Sequence, residues 1–480
     1  LPCQLYRVPD VLTWGIMEKN GENVNFNFDN ADWEVKNLKA VGRTQLHPFL
    51  GYAPEWLKPI DVEFQTKEKF WRDYVRAVVK RYKGQVRYWE LFNEPPWHAF
   101  QDWGKNGKTV MFSMLKDLAE IAREEDPGAK VVAPGFTDGT DLSHIVEPII
   151  KDGGDRYLDV YNFHDYQSWD LAAALKLRPE FDQKVEEGPA MAHMALLRKY
   201  KIDKPLFISE CGGNISPATE ELQRIKAMQW LRTNFIWLAA GIKGIEQYEF
   251  MDYPHEQLPS LFNMMRHSDH FKLPMFTAFR EIIKTMTGAE PLVPATTLSQ
   301  AQARYAIFNR EHEQIVALWN CESFPVTLKL GFPKGEVLEI EEKTFNYQGD
   351  EFFSMKRFAP PVSDRYEVKL MPYQARLITC LKESVSPIPL KVDYVSGKKK
   401  LSASMVKNEQ STAFELTLSN LSDAPIAVKA ELNGKTDEIS LAPYETSKKT
   451  LPLDGAQNLL LRYFDPASNG NVCNEYFLRP

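Results

Sequence analysis

Cysteine is scarce in this chain, five in 480 residues, and the five are widely scattered. An odd, dispersed set excludes a dense disulfide framework, and no CxxC or Cys/His metal spacing occurs. No apolar run approaches the length of a bilayer span. Basic excess is lacking too. The 58 Lys and Arg against 65 Asp and Glu leave a net charge of −7, with a pI near 5.9. That argues against binding nucleic acid through a basic surface, whereas a neutral saccharide needs no such field. Low-complexity tracts and obvious repeats are absent. With 44 % hydrophobic and 26 % charged residues, the composition is that of an ordinary globular chain, long enough for two or three domains. Aromatics make up 12 %, with eleven Trp. Most fill cores, and the rest are suited to packing on the C–H faces of sugar rings.

Two stretches share one design. Arg87-Tyr88-Trp89-Glu90-Leu91-Phe92-Asn93-Glu94-Pro95-Pro96 reads as a short buried strand halted by proline, which leaves Glu94 at its C-terminal lip. Pro205-Leu206-Phe207-Ile208-Ser209-Glu210-Cys211-Gly212-Gly213 delivers Glu210 to a strand end in the same way, halted by glycines. Two glutamates at the C-terminal ends of parallel strands are the minimal equipment for glycosidic bond hydrolysis.

To about residue 290 strands and helices alternate, the pattern of a parallel α/β fold. Seven strand–helix units are visible, and the length suits a closed (β/α)8 TIM barrel of ~250 residues with loop insertions. The expectation is that the eighth, first, strand lies upstream of Leu1. Past Gly288-Ala289-Glu290-Pro291 short alternating strands take over, a β-sandwich signature. The expected domains are therefore a catalytic barrel over 1–290, a β-sandwich accessory domain over 291–383 and, after a Pro-containing joint at 384–389, an immunoglobulin-like sandwich over 384–480.

Barrel chemistry gathers at the C-terminal strand ends. Reading each end yields Arg7, His47, Asn93 with Glu94, His164 with Tyr166, Glu210, and Tyr248 with Glu249. Together with the segment His47-Pro48-Phe49-Leu50-Gly51-Tyr52-Ala53-Pro54-Glu55-Trp56-Leu57, these residues resemble the clan A glycoside hydrolases, most of all family 39 and its neighbours. The likeness covers about residues 4–380, including a β domain with Val316-Ala317-Leu318-Trp319-Asn320. In that clan the acid/base follows the Asn-Glu-Pro strand and the nucleophile ends the seventh strand. The resemblance thus implies Glu94 as acid/base and Glu210 as nucleophile of a retaining reaction. It implies that Asn93 binds the sugar 2-hydroxyl and that Arg7 and Tyr166 hold Glu210. His164, Tyr248, His47, Trp97 and Trp169 are further candidates for substrate contact. Tyr248 departs from the clan, which usually has a Trp there.

Each candidate has a plainer alternative. Arg7 can be an ion-pair residue, His47 a support behind the site, and Cys211 a packing residue. Trp14, Trp56, Trp97 and Trp169 stand in loops after strands and suit subsite walls, as do Asp252, Tyr253 and His255. The Arg266-His267-Ser268-Asp269-His270 run lacks ligand spacing and reads as a solvated loop, so no metal and no cofactor are expected. The expected partner is an oligo- or polysaccharide, β-linked and neutral, since Arg7 is the main cation at the strand ends. Against an enzyme stand a non-catalytic carbohydrate-binding barrel, which would not need both glutamates, and an adhesion protein, which leaves them unexplained. A secreted or periplasmic location is the expectation. Asn214-Ile-Ser216 and Asn420-Leu-Ser422 match the glycosylation acceptor pattern.

Overall fold

A computed structural model describes the chain outside residues 1–4, 9, 59–63, 96–106, 138–141, 167–176, 178, 213–219, 249–263, 266–269, 348, 350, 360–363, 398, 408–412, 433–434, 453–458, 465–471 and 479–480. It falls into two compact units, one of residues 1–169, 186–213 and 242–263, the other of the remainder.

The first unit is built on parallel strands. In chain order it contains β1 (Leu5–Val8), the hairpin β2 (Met17–Asn20) and β3 (Asn23–Phe26), α1 (Asp29–Ala40), β4 (Gln45–Pro48), α2 (Phe64–Arg81) and β5 (Tyr88–Glu90). It continues through α3 (Gly107–Glu125), β6 (Lys130–Val132), α4 (Glu147–Lys151) and β7 (Tyr161–Asp165). The second unit contributes α5 (Pro179–Glu186) and α7 (Glu220–Ala240); the first resumes with α6 (Pro189–Lys199), β8 (Leu206–Cys211) and β9 (Gly244–Gln247). Helices form where apolar residues recur on one face: Trp71, Tyr74, Val75, Val78 and Val79 of α2 are all buried.

Parallel pairing joins β1 to β4, β5 to β6, β7 to β8 and β8 to β9. Single parallel bridges, Leu46 to Val86 and Val132 to Val160, link these groups. Seven successive parallel strands therefore stand side by side, a TIM-barrel type of domain. Alternation along each strand puts every second residue on the same side. Leu5, Tyr88, Val132, Val160 and Phe207 pack together as one apolar layer. A Cβ on Gly244 would lie 2.7 Å from Phe207 and 3.0 Å from Leu5, so only glycine lets this layer close. Two residues further along β1, β4, β5 and β9 the layer turns charged: Arg7, His47, Glu90 and Glu246.

Strand β8 carries an irregularity. Phe163 faces Ile208 but His164 faces Glu210, and Ile208 faces Ile245 while Cys211 faces Gln247. Both neighbours place one extra residue in β8 at 209–210. Such a bulge re-aims side chains at a strand end, and it lets Ser209 and Glu210 both reach the inner side.

The second unit adds α8 (Pro274–Met286) and then, among the described residues, a series of strands from β10 (Glu290–Thr297) to β25 (Val472–Leu478). A six-stranded antiparallel sheet, in the order β10, β11 (Ala303–Arg310), β12 (Glu313–Asn320), β17 (Ala375–Lys382), β14 (Val337–Phe345) and β15 (Phe353–Phe358), and a three-stranded sheet, in the order β16 (Arg365–Leu370), β13 (Val326–Gly331) and β18 (Lys391–Gly397), come first. They share one core in which Val316 and Leu318 of β12 (Glu313–Asn320) meet Leu328 and Leu330 of β13 (Val326–Gly331). The strand β18 (Lys391–Gly397) lies beyond the expected joint at 384–389, yet it pairs with β13. Ile388 is buried in the same core and exchanges hydrogen bonds with Gln314. Long-range pairing of this kind leaves no mark on local composition. Two further antiparallel sheets follow, one of three strands and one of four. Asn420, read as a possible glycan acceptor, is 1 % exposed and donates to Ala424 and Ala442 carbonyls at 2.8 Å.

Candidate active site

Glu94 sits where β5 ends. Its N–H donates to the Gly135 carbonyl at 3.1 Å, and its φ of 44° is a left-handed conformation that a side chain rarely adopts. Glu210 arrives from the bulge of β8. One carboxylate oxygen from each lies within 4.8 Å of the other. Both side chains are partly open to solvent, at 19 % and 16 %.

Three groups fix Glu210. Arg7 makes an ion pair with its Oε1, Tyr166 donates to Oε2 at 2.8 Å, and His164 Nδ1 is 3.5 Å from Oε2. Burial, reinforced by the charge of Glu210, pushes the Tyr166 pKa far above the ordinary phenol value, so the hydroxyl stays protonated and donates. Burial opposes the charge on Arg7, but Glu90 and Glu210 more than offset it and raise its pKa. The same guanidinium donates to Asn93 Oδ1 at 2.8 Å, aligning the residue before Glu94.

His164 is fully buried and spends both ring nitrogens, Nδ1 on Glu94 at 2.9 Å and Nε2 on Ser209 Oγ at 2.9 Å. A Cβ on Gly135 would fall 2.2 Å from that Nε2, so glycine is required opposite the ring. Glu94, His164 and Glu210 offer the donor set of a cation site. Both His164 nitrogens are engaged with protein partners, and Arg7 supplies a positive charge at Glu210.

Behind Arg7 lies a second tier. Glu90 receives Arg7 Nε at 3.0 Å and Nη2 at 2.9 Å, a two-point pair. Burial alone would raise the Glu90 pKa; Arg7 and then His47 reverse this and hold it down at about 2. His47, read from the sequence as a candidate for substrate contact, is 0 % exposed and lies between Glu90 and Glu246. Tyr248 follows β9, with its N–H on the Cys211 carbonyl at 2.9 Å. Trp97, Trp169, Glu249, Asp252, Tyr253, His255 and residues 266–269 lie outside the described residues. Trp14, a proposed subsite wall, is instead fully buried against Trp71 and Tyr74. Cys211 is a buried packing residue whose thiol burial keeps protonated.

Sequence reading missed Glu90, Ser209 and Glu246. For Glu90 a signal existed, since a charge inside an otherwise apolar strand needs a partner.

The geometry has relatives. Residues 46–243 match the sequence profile of Cellulase (glycosyl hydrolase family 5). The fold is similar to a GH30 endoxylanase from Clostridium papyrosolvens C71, at 14 % identity and TM-score 0.55, over 78 % of this chain and 88 % of that one. It is similar to a family 39 glycoside hydrolase from Bacteroides cellulosilyticus WH2, at 16 % identity and TM-score 0.54, over 79 % and 75 %. A monomeric beta-xylosidase from Caulobacter crescentus CB15 matches at 13 % identity and TM-score 0.55, over 79 % and 90 %. The chain carries a clan A glycoside hydrolase domain. In this O-glycosyl hydrolase no described helix is long and apolar enough to cross a membrane.

Proposed function

We propose that the enzyme is a retaining glycoside hydrolase that cleaves a β-linked, neutral glycan by double displacement, with Glu210 as nucleophile and Glu94 as acid/base. The observation that carries this reading is the approach of Glu94 and Glu210 oxygens to within 4.8 Å. Retaining enzymes hold the pair ~5–5.5 Å apart, and inverting ones leave ~6.5–9.5 Å for a water.

In the first step Glu210 attacks the anomeric carbon while Glu94 gives its proton to the leaving oxygen, and a glycosyl ester forms on Glu210. In the second, Glu94 takes a proton from water, which attacks the same carbon and frees Glu210. Arg7 and Tyr166 keep Glu210 aimed in the first step and stabilise it as the leaving group in the second. Asn93, aligned by Arg7, is placed to meet the sugar 2-hydroxyl. The endoxylanase and beta-xylosidase neighbours favour xylosides as the first substrates to try. The β-strands after 290 we read as accessory β-sandwiches, and a secreted or periplasmic address suits a polysaccharide substrate.

The test is turnover on a panel of aryl β-glycosides and polysaccharides, wild type beside Glu210→Gln. Cleavage by the wild type that the substitution abolishes supports the assignment. Equal cleavage by both proteins overturns it.

A further inference from the structure

The charged layer of the first unit is ordered as a line of alternating sign: Glu210, Arg7, Glu90, His47, Glu246. Arg7 bonds both Glu210 and Glu90. His47 Nδ1 is hydrogen-bonded to Glu246 Oε1 at 2.7 Å, and Nε2 lies 3.2 Å from Glu90 Oε2 as an ion-pair contact outside hydrogen-bond alignment. Glu246 is the far end, 8 % exposed, and its other oxygen has no hydrogen-bond partner among the described residues. We infer that Glu246 is a positioning residue for the nucleophile: it holds His47 as an imidazolium, which anchors Glu90, which in turn fixes the Arg7 guanidinium on Glu210. The inference rests on the reading of Glu210 as nucleophile.

Charge balance is the physical reason. With both cations in place the five groups carry three negative and two positive charges, and the surplus sits on Glu210 at the solvent-facing end. Without a proton on His47 two buried carboxylates share one guanidinium, and Arg7 is drawn between Glu90 and Glu210 with nothing opposing on the far side. A buried ion that loses its partner is strongly unfavourable. Residues from four strands pack on His47. They are Arg7, its register partner on β1, Glu90 and the Tyr88 ring on β5, the Phe207 ring on β8, and Glu246 on β9. Burial disfavours the imidazolium, but Glu246 first and Glu90 second outweigh it and push its pKa up to about 9.

The experiment pairs a titration with kinetics on the full chain. Histidine-labelled wild type and Glu246→Gln are titrated by NMR, with His47 identified by the signal missing from His47→Gln. kcat and KM are followed over the same range on the aryl glycoside that the wild type hydrolyses. The expected result is that the His47 ring keeps its proton through neutral pH in the wild type. In Glu246→Gln it should release that proton about tenfold more readily or more, with kcat near neutral pH falling as Arg7 loses its fixed counter-charge. KM should change less than kcat, and Glu246→Asp should recover part of the shift. A His47 that is neutral at pH 7 in the wild type overturns the inference. An unmoved His47 titration in a turning-over Glu246→Gln overturns the Glu246 assignment alone. No turnover anywhere on the panel overturns the parent reading with it.

Discussion

Asp182 in the second unit and Glu90 in the first are both carboxylates without solvent exposure, each held by an arginine. Asp182 is saturated. Its Oδ1 takes Arg232 Nε at 2.8 Å, and its Oδ2 takes Trp319 Nε1 at 2.7 Å and the Cys321 thiol at 3.2 Å. Arg304 adds an ion pair at 3.3 Å. Every member is 6 % exposed or less, so the cluster pins α5 and α7 to β11 (Ala303–Arg310) and β12. The Glu90 network uses the same chemistry but opens at one end, where Glu210 meets solvent beside Glu94. Charge burial by itself is thus a poor guide to function; an ion network that terminates in a half-exposed carboxylate facing a second one is a better guide.

Substitutions should separate the two networks sharply. Glu210→Gln should reduce kcat by on the order of 10⁴-fold or more, with little change in thermal stability. Arg7→Leu should cost about 10²–10³-fold in kcat, the scale of one lost electrostatic contact to a reacting group. Arg232→Leu should act the other way. It leaves Asp182 short of its principal partner and should destabilise by about 3–5 kcal/mol, read in a denaturant midpoint, while the fraction still folded keeps its kcat. Equal kinetic losses in the two arginine variants would collapse the distinction.

A smaller effect follows from pH. His47 has its folded pKa raised from 6.5 to about 9, so its contribution to stability is complete below about pH 6.5 and is lost as pH rises through 9. A shift of that size is worth about 3 kcal/mol. Glu90, lowered from 4.5 to about 2, acts oppositely: its contribution is present above about pH 4.5 and disappears as pH falls through 2. Chemical denaturation at pH 6 and at pH 9.5 should show the first loss. The smallest change expected is in Cys321→Ser, which keeps a donor to Asp182 and should cost about 1 kcal/mol or less.

The strand-end glutamates were legible because proline after Glu94 and glycine after Glu210 announce where their strands stop. Arg7, Asn93, His164 and Tyr166 were legible as residues at strand ends, and the fold draws them together around the pair. Glu246 was not, because its significance lies in a register with His47, 199 residues away in sequence. The bulge at Ser209 was also hidden: an extra residue shows only against the neighbouring strands. The hairpin β2–β3 has a local signal in Asn20-Gly21 at its turn, with Gly21 at φ +63°. In the second unit Pro274 likewise marks the start of α8. The strand β18 escaped because its partner lies far back along the chain.

The central claim is that Glu94 and Glu210 act together with retention. It is tested most directly by following the first seconds of hydrolysis of an aryl β-glycoside by proton NMR. The account predicts that the first free sugar appears as the β-anomer and only later mutarotates. An α-anomer formed first would mean a single displacement by water, and would contradict the assignment of Glu210 as a nucleophile.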